Sequence, residues 1–136
     1  VSTVSDIGQR FHACFLLDTL EYLARGGRIG RAQSFLGSLH RIKPLLEIRD
    51  GEVNPLERVR TFSKGDQRLH DLATEATPLE ALAAIYTTTP TEAQELAERL
   101  RPHVPSGPVY LNQISPVLGV HAGPGTVAIT WVDPPS

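Results

Sequence analysis

The stretch Leu45-Leu46-Glu47-Ile48-Arg49-Asp50-Gly51-Glu52-Val53-Asn54-Pro55-Leu56-Glu57-Arg58-Val59 decides the fold class. Two runs of strand-forming composition, 45–48 and 53–59, flank Arg49-Asp50-Gly51-Glu52. Asp-Gly is a favoured pair for the tight type I′ turn, whose twist matches that of two antiparallel strands. Pro44 and Pro55 cannot donate to a sheet ladder, so they place the ends of these strands at an edge or a bulge. The stretch therefore reads as a hairpin.

Upstream, residues 11–17 form an apolar, β-capable run that reads as a buried strand. Asp18 reads as an N-cap with Glu21 three residues on, a variant of the capping box. The short helix that follows carries Leu20, Leu23 and Ala24 on one face, and Gly26 and Gly27 end it. A second helical stretch, about 29–39, is expected to bury Ile29, Phe35, Leu36 and Leu39.

Downstream, Ser63 with Asp66 opens a helix whose inner face is Leu69, Leu72, Ala73 and Ala76, and Pro78 closes it. Residues 83–87 read as a strand. Thr89-Pro90-Thr91-Glu92 combines an N-cap, a proline at the first helical position and a capping glutamate. Ala93, Leu96, Ala97 and Leu100 line that helix, and Pro102 and Pro105 stop its extension. Residues 109–111 and 126–132 finish as strands, the last placing Val127, Ile129 and Trp131 on one face. The expected fold is α+β: a mostly antiparallel or mixed sheet, with helices packed mainly on one face.

The chain has 136 residues, 40% of them hydrophobic, which suits one domain over 1–136 with a single core. Its formal net charge of −2 provides no global field to recruit nucleic acid or an anionic membrane. Cys14 is the only cysteine, which excludes an internal disulfide or a thiolate zinc cluster and fits a reducing, cytoplasmic compartment. No apolar run approaches the roughly 20 residues that span a bilayer, and no signal-peptide layout opens the chain. The sequence begins at Val1 and has no methionine, so it is expected to be a piece of a longer chain.

Between residues 25 and 60 lie eight of the thirteen basic residues: Arg25, Arg28, Arg31, Arg41, Lys43, Arg49, Arg58 and Arg60. With the four acids of that segment the local balance is +4, against −6 for the rest. Such a patch suits an oxyanion or an acidic protein surface, because arginine bonds oxyanions in bidentate fashion. The plain alternative is a solvated face of local ion pairs. No aromatic residues interleave with these arginines as a single-strand nucleic-acid platform needs. Cys14 sits in an apolar strand, where a thiol is usually a small hydrophobe. His12, His40, His70, His103 and His121 lack the spacing of a metal-ligand pair, so no metal site is expected. In Gly119-Val120-His121-Ala122-Gly123-Pro124-Gly125, three glycines and a proline surround one histidine just before a strand. Glycine there lets the backbone approach a ligand, and an imidazole can bond a carboxylate or phosphate. Gly-Pro-Gly is also simply a turn.

Three segments in series carry a resemblance. They are Leu17-Asp18-Thr19-Leu20-Glu21-Tyr22-Leu23 running into Gly26-Gly27-Arg28-Ile29-Gly30, then Ile42-Lys43-Pro44-Leu45-Leu46 with Asp50-Gly51 and Arg58-Val59-Arg60, and finally the His121 loop. In this order, over about 11–132, they resemble the C-terminal half of the DegV family, bacterial fatty-acid-binding proteins that serve fatty acid kinase. The resemblance implies a lipid-binding domain whose N-terminal partner domain is absent from this chain. It implies a long-chain fatty acid held in an apolar pocket between the two domains. It further implies a separate kinase that phosphorylates the carboxylate from ATP to an acyl phosphate, for phospholipid synthesis. The chain would then be a carrier with no catalytic residue and no cofactor, in at most transient contact with membrane. On this resemblance His121 bonds the carboxylate, with Gly123 and Gly125 beside it, and Arg28 and Arg60 dock the kinase. Two other readings stand beside it. One is a regulatory or protein-interaction domain with a basic docking face and no lipid. The other is a small hydrolase using His121, for which no motif places a nucleophile.

Overall fold

The computed structural model describes residues 11–38, 42–49, 51–114 and 122–133. Its described strands are β1 (Phe11–Leu16), β2 (Lys43–Arg49), β3 (Glu52–Val59), β4 (Ala81–Tyr86), β5 (Val109–Gln113) and β6 (Val127–Val132). They form one sheet in the order β3-β2-β1-β6-β4-β5. Every neighbouring pair is antiparallel except β4 and β5, which are parallel. The sheet is therefore mixed. The helix between β4 and β5 is the crossover that a parallel pair requires.

The hairpin forms as its sequence implies, with Arg49 opposite Glu52 and Gly51 at φ 76°. Asp50 lies outside the described residues. The register slips between Leu45, opposite Glu57, and Leu46, opposite Pro55, leaving Leu56 as the extra residue of a bulge. That bulge accommodates Pro55 on the edge strand, where its missing donor is harmless.

Two long helices, α2 (Phe62–Thr74) and α3 (Pro90–Leu100), cover one face of the sheet. Strand alternation sends Cys14, Leu16, Leu82, Val127, Ile129 and Trp131 to that face, where they meet Leu69, Ala73, Leu96 and Leu100. Gly65 lets α2 approach β1 closely: a Cβ there would stand only 2.4 Å from Leu16 Cδ1. Ala93, Leu96, Ala97 and Leu100 are buried as their spacing implies. On the opposite face, a short helix α1 (Glu21–Arg25) and a 3-10 segment (Gly30–Ser38) cover only the β1–β2–β3 side. A smaller core sits beneath them, built from Leu17, Leu20, Leu23, Ile29, Ala32 and Leu46.

Several local expectations are corrected. Asp18 does not cap α1, because Lys43 Nζ binds its carboxylate at 2.6 Å, and Thr19 Oγ1 instead accepts the Glu21 amide. The cap of α2 is Thr61, whose hydroxyl accepts from Lys64 N at 3.1 Å, two residues before Ser63. Asp66 instead binds Arg99 of α3 at 2.8 Å. Thr89 precedes α3 as expected, but its side chain makes no capping bond. Leu36 is 39% exposed rather than buried, because a 3-10 turn brings round a different face from an α-helix, and Ala32 is buried instead. Leu39 lies outside the described residues. Val127, Ile129 and Trp131 alternate along one face as expected.

Candidate functional site

The face without long helices carries a cavity of about 410 Å3. Its position follows from register. Leu46, Phe15, Ala128, Ile85 and Asn112 stand side by side across β2, β1, β6, β4 and β5. All five point away from α2 and α3. Phe15, Leu46 and Ile85 form the middle of the cavity wall. Ile48 and Val53, paired across the hairpin, close one end. Leu17, Leu23 and Ala122 line it where β1 leads into α1. Among the described residues, Asn112, Gln113 and Arg28 are its polar lining. Gln113 also ties strand ends together by donating to Thr87 O at 3.0 Å.

The glycine-rich loop is held by threonines. Thr87 Oγ1 donates to Gly123 O at 2.9 Å and accepts from Thr126 N at 3.1 Å. Thr126, fully buried, donates a second bond to Gly123 O at 3.0 Å. Gly123 is at φ 89° and lies flat against Tyr22, where a Cβ would come within 2.4 Å of the ring. Gly125 is at φ 77° and its amide donates to Thr88 Oγ1 at 2.9 Å. The Gly125 amide is thus engaged within the protein, and its bond to Thr88 helps shape the loop. His121 lies outside the described residues; the residue bonded to it, Ala122, lines the cavity.

The basic stretch is largely neutralised locally. Arg25 pairs with Glu21, Arg31 with Glu52, Lys43 with Asp18, and Arg49 with Glu47. Arg58 lies over the Phe35 ring at 5.2 Å, a cation–π distance. Arg28 and Arg60 are exposed and have no ion-pair partner among the described residues. Arg28 lines the cavity and is steadied by Gly26 O at 3.2 Å, whereas Arg60 follows β3 and does not line it.

Among the described residues the remaining candidates carry no visible chemistry; His40 lies outside them. Cys14 is buried, and desolvation, reinforced by Glu47 and opposed by Arg68, pushes its thiol from an ordinary 9.0 to about 12. A thiol so held is not a nucleophile near neutrality. His12 stacks on Trp131 and bonds Asp133 at 2.6 Å, while His70 and His103 meet edge-to-face at 5.9 Å. No cluster of three or more metal-ligating side chains occurs among the described residues.

Phe15, Leu46, Ile48, Val53 and Ile85 were missed as cavity residues by sequence reasoning. Each sits in a strand where alternation distinguishes two faces but not a filled face from an empty one. Only Arg28 was named in advance, through the resemblance.

Comparison with known proteins sets this geometry in context. The family described as "Uncharacterised protein, DegV family" matches residues 1–133. A DegV domain-containing protein of Streptomyces coelicolor is 41% identical over 121 residues, covering 86% of this chain and 43% of that one. A solved structure of DegV from Bacillus subtilis, described as a fatty acid binding protein, superposes with a TM-score of 0.81 at 31% identity, covering 98% of this chain and 48% of that one. A DegV family protein of Thermus thermophilus, whose structure is described by its fatty acid binding, gives a TM-score of 0.79 at 31% identity over 93% of this chain and 46% of that one. The chain spans somewhat under half the length of these relatives.

Proposed function

The chain belongs to the DegV family, and from that premise we propose that it is the C-terminal half of a fatty-acid carrier, supplying an apolar wall and a head-group loop to a site completed by an N-terminal domain outside this chain. The observation that carries the reading is the cavity on the open face. At about 410 Å3 it falls in the roughly 300–1,000 Å3 range of small-molecule sites, and aliphatic and aromatic side chains dominate its wall. Such a wall suits a hydrocarbon tail, gaining about 0.8 kcal/mol for each methylene removed from water.

A carboxylate drawn into apolar surroundings needs donors or loses several kcal/mol of hydration. In this reading His121 donates one bond through a ring nitrogen and the Gly123 amide another, with Gly125 fixing the loop. The tail is that of a long-chain acid lying along Phe15, Leu46 and Ile85. A separate kinase phosphorylates the bound carboxylate, and the present chain presents it without taking part in the chemistry. Arg28, at the cavity rim, and Arg60 meet the kinase, where charge acts mainly on association rate and salt dependence. The site needs no metal or cofactor for this, and the carrier works in the cytoplasm.

The test is extraction of the purified full-length protein followed by mass spectrometry of the released lipid. A long-chain fatty acid at about one per protein supports the carrier, and a lipid-free protein that also fails to take up added fatty acid refutes it. Full-length His121→Ala is expected to lose one charge-assisted bond, about 1.5–3 kcal/mol or one to two powers of ten in affinity.

A further inference from the structure

The cavity has lining residues on both sides of a strand that contributes none among the described residues. Leu46, Ile48 and Val53 lie on the β2–β3 side, and Ile85, Asn112 and Gln113 on the β4–β5 side. Between β1 and β4 runs β6, whose residue in that row is Ala128, fully buried. Phe15 and Ile85 each stand in register with Ala128, one on either side of it. Their Cα atoms are thus two strand spacings apart, roughly 9.5 Å. An aromatic and a branched aliphatic side chain therefore project from either side of a single methyl group. Phe15 is the one aromatic residue in the lining among the described residues.

We infer that Phe15 and Ile85 form a constriction over Ala128 that joins two lobes of the cavity and selects the shape of the tail that crosses it. The inference rests on the fatty-acid reading above. A straight polymethylene tail is slender enough to pass between the two side chains, while a methyl branch or a fixed cis bend at that depth collides with one of them. Proteins resist such collisions because well-packed walls shift only at a cost. Phe15 and Ile85 are therefore specificity-determining residues, and bulk at the fully buried Ala128 beneath them would push both side chains into the crossing.

The experiment offers full-length protein an equimolar mixture of straight saturated, cis-unsaturated and methyl-branched fatty acids of several lengths. The retained acids are then identified by mass spectrometry. Wild type should favour straight tails. Phe15→Leu and Ile85→Ala should each raise the retained share of branched or bent acids by about tenfold, the low end of what one methylene discriminates in an apolar pocket. Ala128→Val should shift the retained set toward shorter acids, and thermal unfolding of each variant shows whether it is folded. Retention of lipid by folded Phe15→Leu and Ile85→Ala with the wild-type profile overturns the inference while leaving the carrier reading intact. Wild type that retains no acid at all overturns both.

Discussion

The two faces of this sheet are built from the same strands, yet they do different work. Leu16 points under α2, where it is fully buried and where Gly65 is small enough to admit the helix. Its neighbour Phe15 points the other way, half-buried, into an apolar cavity. The same division separates Leu45 from Leu46 and Ala84 from Ile85. A step of one residue thus separates a side chain packed beneath the long helices from one that lines the cavity. Strand alternation makes that division possible without separate segments for the packed face and the cavity face.

The widest separation between the faces should appear with Leu16→Ala. A fully buried leucine truncated beneath a helix should lower stability by about 3 kcal/mol in chemical denaturation. Ile48→Ala on the open face, 39% exposed at the start, should lower it by less than about 1 kcal/mol. Comparable losses at the two positions would abolish the distinction drawn here.

Gly65→Ala should lower stability by about 1–3 kcal/mol despite alanine's better helix propensity, because its new methyl meets Leu16 Cδ1. Combined with Leu16→Ala the two effects should be non-additive, since the second change removes the obstacle to the first. Strict additivity in that cycle would mean that the close approach of α2 to β1 is not what constrains position 65.

The helix-covered face should also make stability sensitive to alkaline pH. Cys14 is neutral in both states below about pH 9, so it is silent there. Above that value the unfolded chain releases the thiol proton while the folded chain, with its pKa pushed up to about 12, retains it. The folded state then binds more protons, and stability falls by at most about 1.4 kcal/mol per pH unit between those values. Cys14→Ala should flatten that part of the pH profile; an unchanged slope would show that the thiol is not its source.

The smallest effect concerns the helix that covers this face. Thr61→Ala should cost about 1 kcal/mol by losing its bond to Lys64 N, and Ser63→Ala should change stability by no more than about 0.5 kcal/mol. Equal effects would return the cap to Ser63.

Much of the helix-covered face was legible in the sequence. The alternation of Val127, Ile129 and Trp131 and the spacing of Ala93, Leu96, Ala97 and Leu100 each specify an inward face locally. The Asp-Gly turn likewise fixed the hairpin. The caps were less legible, because Asp18 and Asp66 are drawn to Lys43 and Arg99, partners 25 and 33 residues away. The parallel pairing of β5 with β4 depends on a crossover rather than on the composition of 109–111. The cavity was illegible for a related reason. It arises from the register of six strands and from a face that α1 and the 3-10 segment cover only in part. None of these relations is encoded within one stretch. Arg28 was reached through the family resemblance, and the threonine clasp on Gly123 became visible only with Thr87 and Thr126 brought together.

Photo-crosslinking tests the central claim most directly. A long-chain fatty acid carrying a diazirine midway along its tail is loaded into the full-length protein, irradiated, and its attachment sites are mapped by mass spectrometry. The account predicts labels on open-face positions of this domain, Phe15, Leu46, Ile48, Val53 or Ile85, with Leu16 and Leu45 unlabelled. Labels on α2 or α3, or a saturated site with no label on those five positions, would contradict it.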